Sequence, residues 1–250
     1  MAKSALLYSA TVPVSHETHL DWCVDGSGGY AFARGVNFLP ITTPEFEQAA
    51  ASYPIVFIEE KDAIRPVSIL GFEQDQNLFV GSDGRWDAAY IPAFARRYPF
   101  IFATMAGRDS LGLCIDEAYS GVNQAGRGER LFLSGGGRSP YLNRTLEFLQ
   151  QYQSETVRSA ELAGQLRELD LLEPAQAQVS LSTGQQMSLG GFLTVNRDRL
   201  RALDGAKLKE LARVDWLELI YIHLFSLANF AALMDRMATR SDAAEQSSAD

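Results

Sequence analysis

The sequence predicts an α+β fold, with an N-terminal mixed or antiparallel sheet and short helices, followed by C-terminal helices with a β-hairpin. Three observations carry this expectation. Between Tyr30 and Asp116, brief β-branched or aromatic runs alternate with helices too short to act as parallel crossovers. After Ser139 the apolar residues recur at spacings of three and four, the period of a helix. With 250 residues, 46% of them apolar, the chain can bury a core without metal or disulfide.

The expected organisation is a sheet region over 1–120, a Gly-rich loop or linker over 121–139, a helical region with the hairpin over 140–240, and a disordered tail over 241–250. One continuous domain is the alternative to two. In chain order, Thr43, Pro44 and Glu45 to Ser52 form an N-capped helix with Pro at its first position, stopped by Tyr53-Pro54. Strands are expected at 55–58, 67–72, 78–80, 100–104 and 111–115, with a turn at Ser82-Asp83-Gly84. Arg96 and Arg97 end a short helix. Adjacent side chains there point about 100° apart, so one Arg faces the fold and pairs with Asp87 or Asp116 while the other stays open.

Gly121, Gly126, Gly128, Gly135, Gly136 and Gly137 mark the expected linker. Ser139 then caps a helix opened by Pro140 that runs to Leu172, with Gly164 as a candidate break and Pro174 as its end. The alternation of Val179 and Leu181 with Met187 and Leu189 around Thr183-Gly184 is a hairpin signature. Asp204 and Asp215 each cap a helix, Asp215 together with Glu218 in the form of a capping box. Leu217 to Met234 is apolar over most of its circumference, which predicts a central packed helix. Its membrane-like stretch, Leu219 to Met234, has sixteen residues, fewer than the roughly 20 needed to span a bilayer. Monomer and homodimer both follow from it, depending on whether the sheet covers its second face.

Charge narrows the function. The formal net charge of -9 argues against nucleic acid, whose phosphates need a basic face. Only residues 85–138 are locally positive, with 7 basic against 5 acidic groups. Trp86, Arg96, Arg97, Arg127 and Arg130 in that segment are the candidate ligand-binding residues, because guanidinium forks interleaved with aromatics suit a carboxylate, a sugar or a peptide. Cys23 and Cys114 are too few for a disulfide scaffold, and the N-terminal apolar patch is too short for a secretory segment. A reducing, cytoplasmic setting is expected.

Catalytic signatures are sparse. The stretch HETHLDWC at 16–23 is the one cluster of metal-capable side chains, yet it lacks the spacing of a zinc motif; exposed His and a buried Cys explain it better, and no metal site is assigned. No nucleophile elbow occurs, His223 lies inside the apolar helix, and Asp116 and Glu117 beside Cys114 work against a thiolate. No catalytic residue and no cofactor are assigned. The alternative is an enzyme built on carboxylates, using Asp83, Asp87, Asp116 and Glu117 with Arg96 or Arg97.

The phrases YPIVF at 53–57, DGRWDAAYIPAFARRYPF at 83–100, LCIDE at 113–117, GERLF at 128–132, MSLGGF at 187–192 and LELIYIHLFSLANF at 217–230 resemble the bacterial SapC family over nearly the whole chain. That family is named from a surface-layer locus. Its members tend to be encoded near TonB-dependent receptors and tryptophan-halogenase-like flavoproteins. The resemblance implies no reaction, cofactor or catalytic residue. It points to an accessory or binding protein beside a flavoprotein or a nutrient-uptake system, with a small-molecule or peptide ligand, or to a surface-layer component as the alternative.

Overall fold

A computed structural model of the chain describes residues 6–61, 63–105, 110–180 and 186–249. In chain order the first elements are β1 (Thr11–Pro13), α1 (His16–His19), β2 (Cys23–Val24), β3 (Phe38–Pro40), α2 (Phe46–Ala50), β4 (Ile55–Glu60) and β5 (Ala63–Ile69). Next come α3 (Ala93–Arg96), β6 (Phe100–Thr104), β7 (Leu111–Asp116), β8 (Val122–Asn123), β9 (Glu129–Arg130) and α4 (Pro140–Glu168). The chain closes with β10 (Leu172–Ser180), β11 (Gln186–Val195), α5 (Arg197–Ala202), α6 (Gly205–Arg213), α7 (Trp216–Ser226) and α8 (Asn229–Ala249). Every strand pairing among the described residues is antiparallel, so the fold is α+β.

Contacts divide the chain into two compact units that interleave in sequence. The first holds residues 1–33, 80–86 and 93–154, and the second holds 34–79, 87–92 and 155–250. The borders between them fall at 33/34, 79/80, 86/87 and 92/93 and, inside α4, between Ser154 and Glu155. Gly164 does not interrupt that helix, since a helix interior tolerates one Gly at a cost of about 1 kcal/mol.

The first unit contains two three-stranded sheets, β1-β7-β6 and β8-β2-β9. Val24, Phe100, Ile115, Tyr119, Leu131, Phe132, Leu142 and Leu149 form its core. The Gly-rich segment is part of this unit and not a linker, because β8 and β9 both pair with β2. Gly135–Gly137 makes a tight turn: Leu133 N–H donates to the Gly137 carbonyl at 2.8 Å and Phe132 bridges Arg138. Ser139 then accepts from Leu142 N–H at 3.1 Å, the expected cap.

The second unit is built on the sheet β10-β11-β4-β5-β3. β4 is central, and Ile55, Val56 and Phe57 are buried in succession, the pattern of a strand covered on both faces. Pro174 lies inside β10 and does not end a helix. Because β10 is the edge strand, its missing N–H removes no ladder bond. The expected turn at Thr183-Gly184 lies outside the described residues. The run at 78–80 forms no strand, only a bridge from Val80 to Trp86 in the first unit. At α2 the short 3₁₀ entry is held by Glu45, whose carboxylate accepts from Thr42 N–H at 2.7 Å and from the Tyr90 hydroxyl at 2.9 Å.

The apolar C-terminal stretch departs most from expectation. Residues 216–240 are long and apolar enough, by length and composition, to cross a membrane. Here they fold as two helices, α7 and α8. Asn229 sits at the break and donates its amide to the carbonyls of Ala50 and Tyr53 at 2.7 and 3.1 Å. α7 buries Ile220, His223, Leu224 and Ser226, but Tyr221 is 40% and Phe225 74% exposed, so it is not enclosed on all sides. Asp215 adopts a left-handed φ of 64° and makes no side-chain cap, in contrast to Asp204, which accepts from Lys207 N–H at 2.9 Å. α8 continues through residues 241–249, where a frayed tail was expected.

His223 joins α7 to the sheet. Its Nδ1–H donates to the Ile55 carbonyl at 2.8 Å and its Nε2 accepts from Val195 N–H at 3.0 Å, which requires a neutral ring. Ile55 N–H in turn donates to Ser226 Oγ at 2.9 Å. Burial pushes the imidazole down from its ordinary 6.5 to about 4. The unfolded chain takes up a proton near pH 6.5 while the folded ring does not. Stability is therefore full above that value and falls as pH drops toward about 4, by about 3 kcal/mol from this residue alone. Urea unfolding from pH 7 to pH 4 measures it. Replacing His223 by Phe should lower stability at pH 7 and flatten this acid slope; an unchanged slope refutes the assignment.

Candidate ligand-binding site

Within the first unit a concavity of about 330 Å³ is lined by Tyr30, Phe32, Tyr98, Tyr119 and Tyr141, with Arg96 and Glu129 among its polar groups. Its size falls in the roughly 300–1,000 Å³ typical of small-molecule sites. The rings are positioned by a few local devices. Gly29 has a φ of 62°, and a Cβ there would lie 2.6 Å from the Gly84 carbonyl, so only glycine lets the two turns meet. Tyr30 N–H then donates to the Gly84 carbonyl at 2.8 Å, and the 3₁₀ turn Ala31–Ala33 presents Phe32. Phe32 stacks on Tyr98 at 4.2 Å between ring centroids and meets Tyr119 edge-on at 5.9 Å.

Tyr98 is held by Asp116. This carboxylate is fully buried and accepts from Ser9, Ala10 and Ala118 N–H at 2.8, 3.0 and 3.1 Å, and from the Tyr98 hydroxyl at 3.3 Å. Tyr119 donates its hydroxyl to the Asp25 carbonyl at 3.2 Å. Tyr141 stands in the first turn of α4. Glu129 reaches the rim from β9 because Gly128, at a φ of 83°, lets that strand approach Val24 where a Cβ would lie 2.2 Å from its carbonyl.

The walls are phenols that keep their protons. Burial raises Tyr98, Tyr119 and Tyr30, with Asp116 adding to the effect at Tyr98 and Arg96 partly opposing it at Tyr30. Burial, reinforced by Tyr119 and Glu129, pushes Tyr141 up to about 12. None of these hydroxyls is a base at neutral pH. They offer uncharged walls and electron-rich ring faces.

Of the five residues expected to bind ligand, only Arg96 lines this pocket. Trp86 packs edge-on against Tyr30 at 5.6 Å. Arg130 pairs with Asp21 at 3.0 Å and Arg127 is exposed. Arg97 lies over the rings of Phe94, Tyr152 and Tyr8 at 4.1, 4.7 and 5.6 Å. The inward Arg is thus the second of the pair, as the 100° offset allows, but it pairs with rings and not with an acid. Asp87 is taken by Arg236 at 2.7 Å, and Asp116 is satisfied by backbone. Tyr30, Phe32, Tyr119, Tyr141 and Glu129 escaped sequence reasoning, though GSGGYAFAR at 26–34 combines turn glycines with two of the rings.

Other candidates carry less chemistry. His19 is buried, not exposed, with Nδ1 3.2 Å from the Ser15 carbonyl and Nε2 3.5 Å from Glu117, and no cluster among the described residues could hold a metal ion. Cys114 is raised by burial, a different cause from the neighbouring acids that the sequence suggested. A larger concavity of about 650 Å³ has an apolar floor including Phe102, Phe132 and Leu142.

The SapC family matches residues 14–233 of the chain. No curated protein and no solved structure matches it.

Two substitution experiments check these roles. Arg97→Ala should cost on the order of 2 kcal/mol through lost ring contacts, while Arg96→Ala should leave the melting temperature nearly unchanged. Equal losses would assign both to the fold. Asp116→Asn places an amide against backbone donors and should destabilise the chain by about 3 kcal/mol in urea unfolding. A change well below 1 kcal/mol would exclude the carboxylate as an organising group.

Proposed function

The chain belongs to the SapC family, and from that premise we propose that it is a non-catalytic binding or accessory protein whose aromatic pocket holds a small organic ligand. The observation that carries this is the convergence of five rings on one concavity in the first unit. Convergent rings with few polar groups are the usual composition of a ligand site. The neutral phenols and the raised thiol support binding over acid-base or covalent chemistry.

The carboxylate enzyme has less support. Asp83 caps its own turn by accepting from Arg85 N–H at 3.0 Å, Asp87 is paired with Arg236, and Asp116 is buried among donors. Glu117 lies beside His19. Acid-base work needs a carboxyl within reach of substrate, and these have structural partners instead. A cytoplasmic setting, expected from the two cysteines and the short N-terminal apolar patch, and a flavoprotein partner, implied by the family resemblance, extend the binding reading.

The test uses a variant that fills the pocket. Gly26 lines it, and a Cβ there meets nothing within 4 Å, so Gly26→Trp should fold and place a ring in the cavity. Ligand-observed NMR with phenol, indole, benzoate, choline and glycine betaine should show saturable binding by the native chain and at least tenfold weaker binding by the variant. If no probe binds, or if Gly26→Trp binds equally well, the pocket is not the site.

A further inference from the structure

The charges on the pocket narrow its occupant. Glu129 and Arg96 line it from different elements, β9 and α3. Glu129 is exposed and makes no salt bridge with another described residue. Its carboxylate lies close enough to Tyr141 to help hold that phenol protonated, while the Arg96 charge is felt at Tyr30. The guanidinium also sits 5.3 Å over the Phe148 ring, which steadies it at the pocket. An anion and a cation thus stand at two different tyrosines of one pocket and do not neutralise each other.

Ring faces attract cations, more strongly where water is excluded, and alkylated ammonium groups are the cations that aromatic cages hold best because they lose little hydration. A bare ring-bearing ligand would use the walls but leave Glu129 without a function. A simple anion would use Arg96 but meet the Glu129 carboxylate and the negative faces of the rings. A ligand that carries both charges satisfies every wall at once.

Resting on the binding reading above, we infer that the pocket takes a small organic zwitterion, its alkylammonium group among the tyrosine rings beside Glu129 and its carboxylate on Arg96. The molecule is bound without bond making or breaking. Selectivity comes from the two charges, and the rings supply most of the contact area.

Titration calorimetry with trimethylammonium carboxylates bearing one to three methylenes between the charges tests this, with choline as the cation alone and 3,3-dimethylbutyrate as the carboxylate without the cation. At least one zwitterion should bind tenfold or more tightly than either comparator. Glu129→Gln should weaken both that zwitterion and choline by about tenfold, and Arg96→Gln should weaken the zwitterion but not choline. Both side chains are exposed, and unchanged melting temperatures would show that the variants fold. If phenol or indole binds and the zwitterions do not, the pocket stands and the zwitterion falls. Zwitterion binding indifferent to both substitutions also overturns it, and failure of every probe removes the pocket with it.

Discussion

Asp116 is wholly buried at the end of β7, where its two oxygens accept three backbone N–H groups from residues 9, 10 and 118 together with the Tyr98 hydroxyl. A carboxylate out of water costs several kcal/mol unless its lone pairs are filled, and here they are filled by donors the chain would otherwise leave unsatisfied. The consequence reaches the pocket directly. Ser9 and Ala10 bring the start of β1 against β7, and Tyr98 is turned so that its ring stacks on Phe32 and meets Tyr119. A residue that sequence reasoning placed among candidate acids is the organising centre of the binding site's wall.

Polar side chains do comparable work in the second unit. His223 and Ser226 sit on the buried side of α7 and satisfy both the N–H and the carbonyl of Ile55, while His223 also accepts from Val195. Asn229 satisfies two carbonyls at the break between α7 and α8. An apolar sequence of this length could form one featureless helix. The three polar residues instead fix its rotation about the axis and the point at which it bends, because each would be costly to bury in any other register.

The candidate site owes its chemistry to what burial does to phenols and guanidinium groups. Protonated tyrosines make an uncharged aromatic wall, and a guanidinium keeps its charge wherever it is placed. The same property separates the two neighbouring arginines. Arg97 lies among three rings and braces the fold, while Arg96, one residue earlier and about 100° around the helix, is exposed at the pocket.

While the antiparallel pairing throughout was decided by the tertiary structure, local periodicity alone determined the α+β class, the strands at 55–58, 100–104 and 111–115, the helix opening at Ser139-Pro140 and the cap at Asp204. These depend on neighbours within a few residues, so a linear pattern contains them. The segment 121–139 was misread because two-residue strands have no period, and only pairing with β2 makes them strands. Pro174 was read as a helix stop because its tolerance rests on β10 lying at a sheet edge, a property of topology. The pocket was least legible of all. Tyr30, Phe32, Tyr98, Tyr119, Glu129 and Tyr141 come from five separate local structures, and of the pocket's lining the linear pattern points only to Arg96 as a binding residue. Their convergence depends on glycine contacts at residues 29 and 128 and on a carboxylate at 116 whose partners are mostly distant in sequence. Long-range hydrogen bonds and close backbone approach decide such a site, and neither leaves a period in the chain.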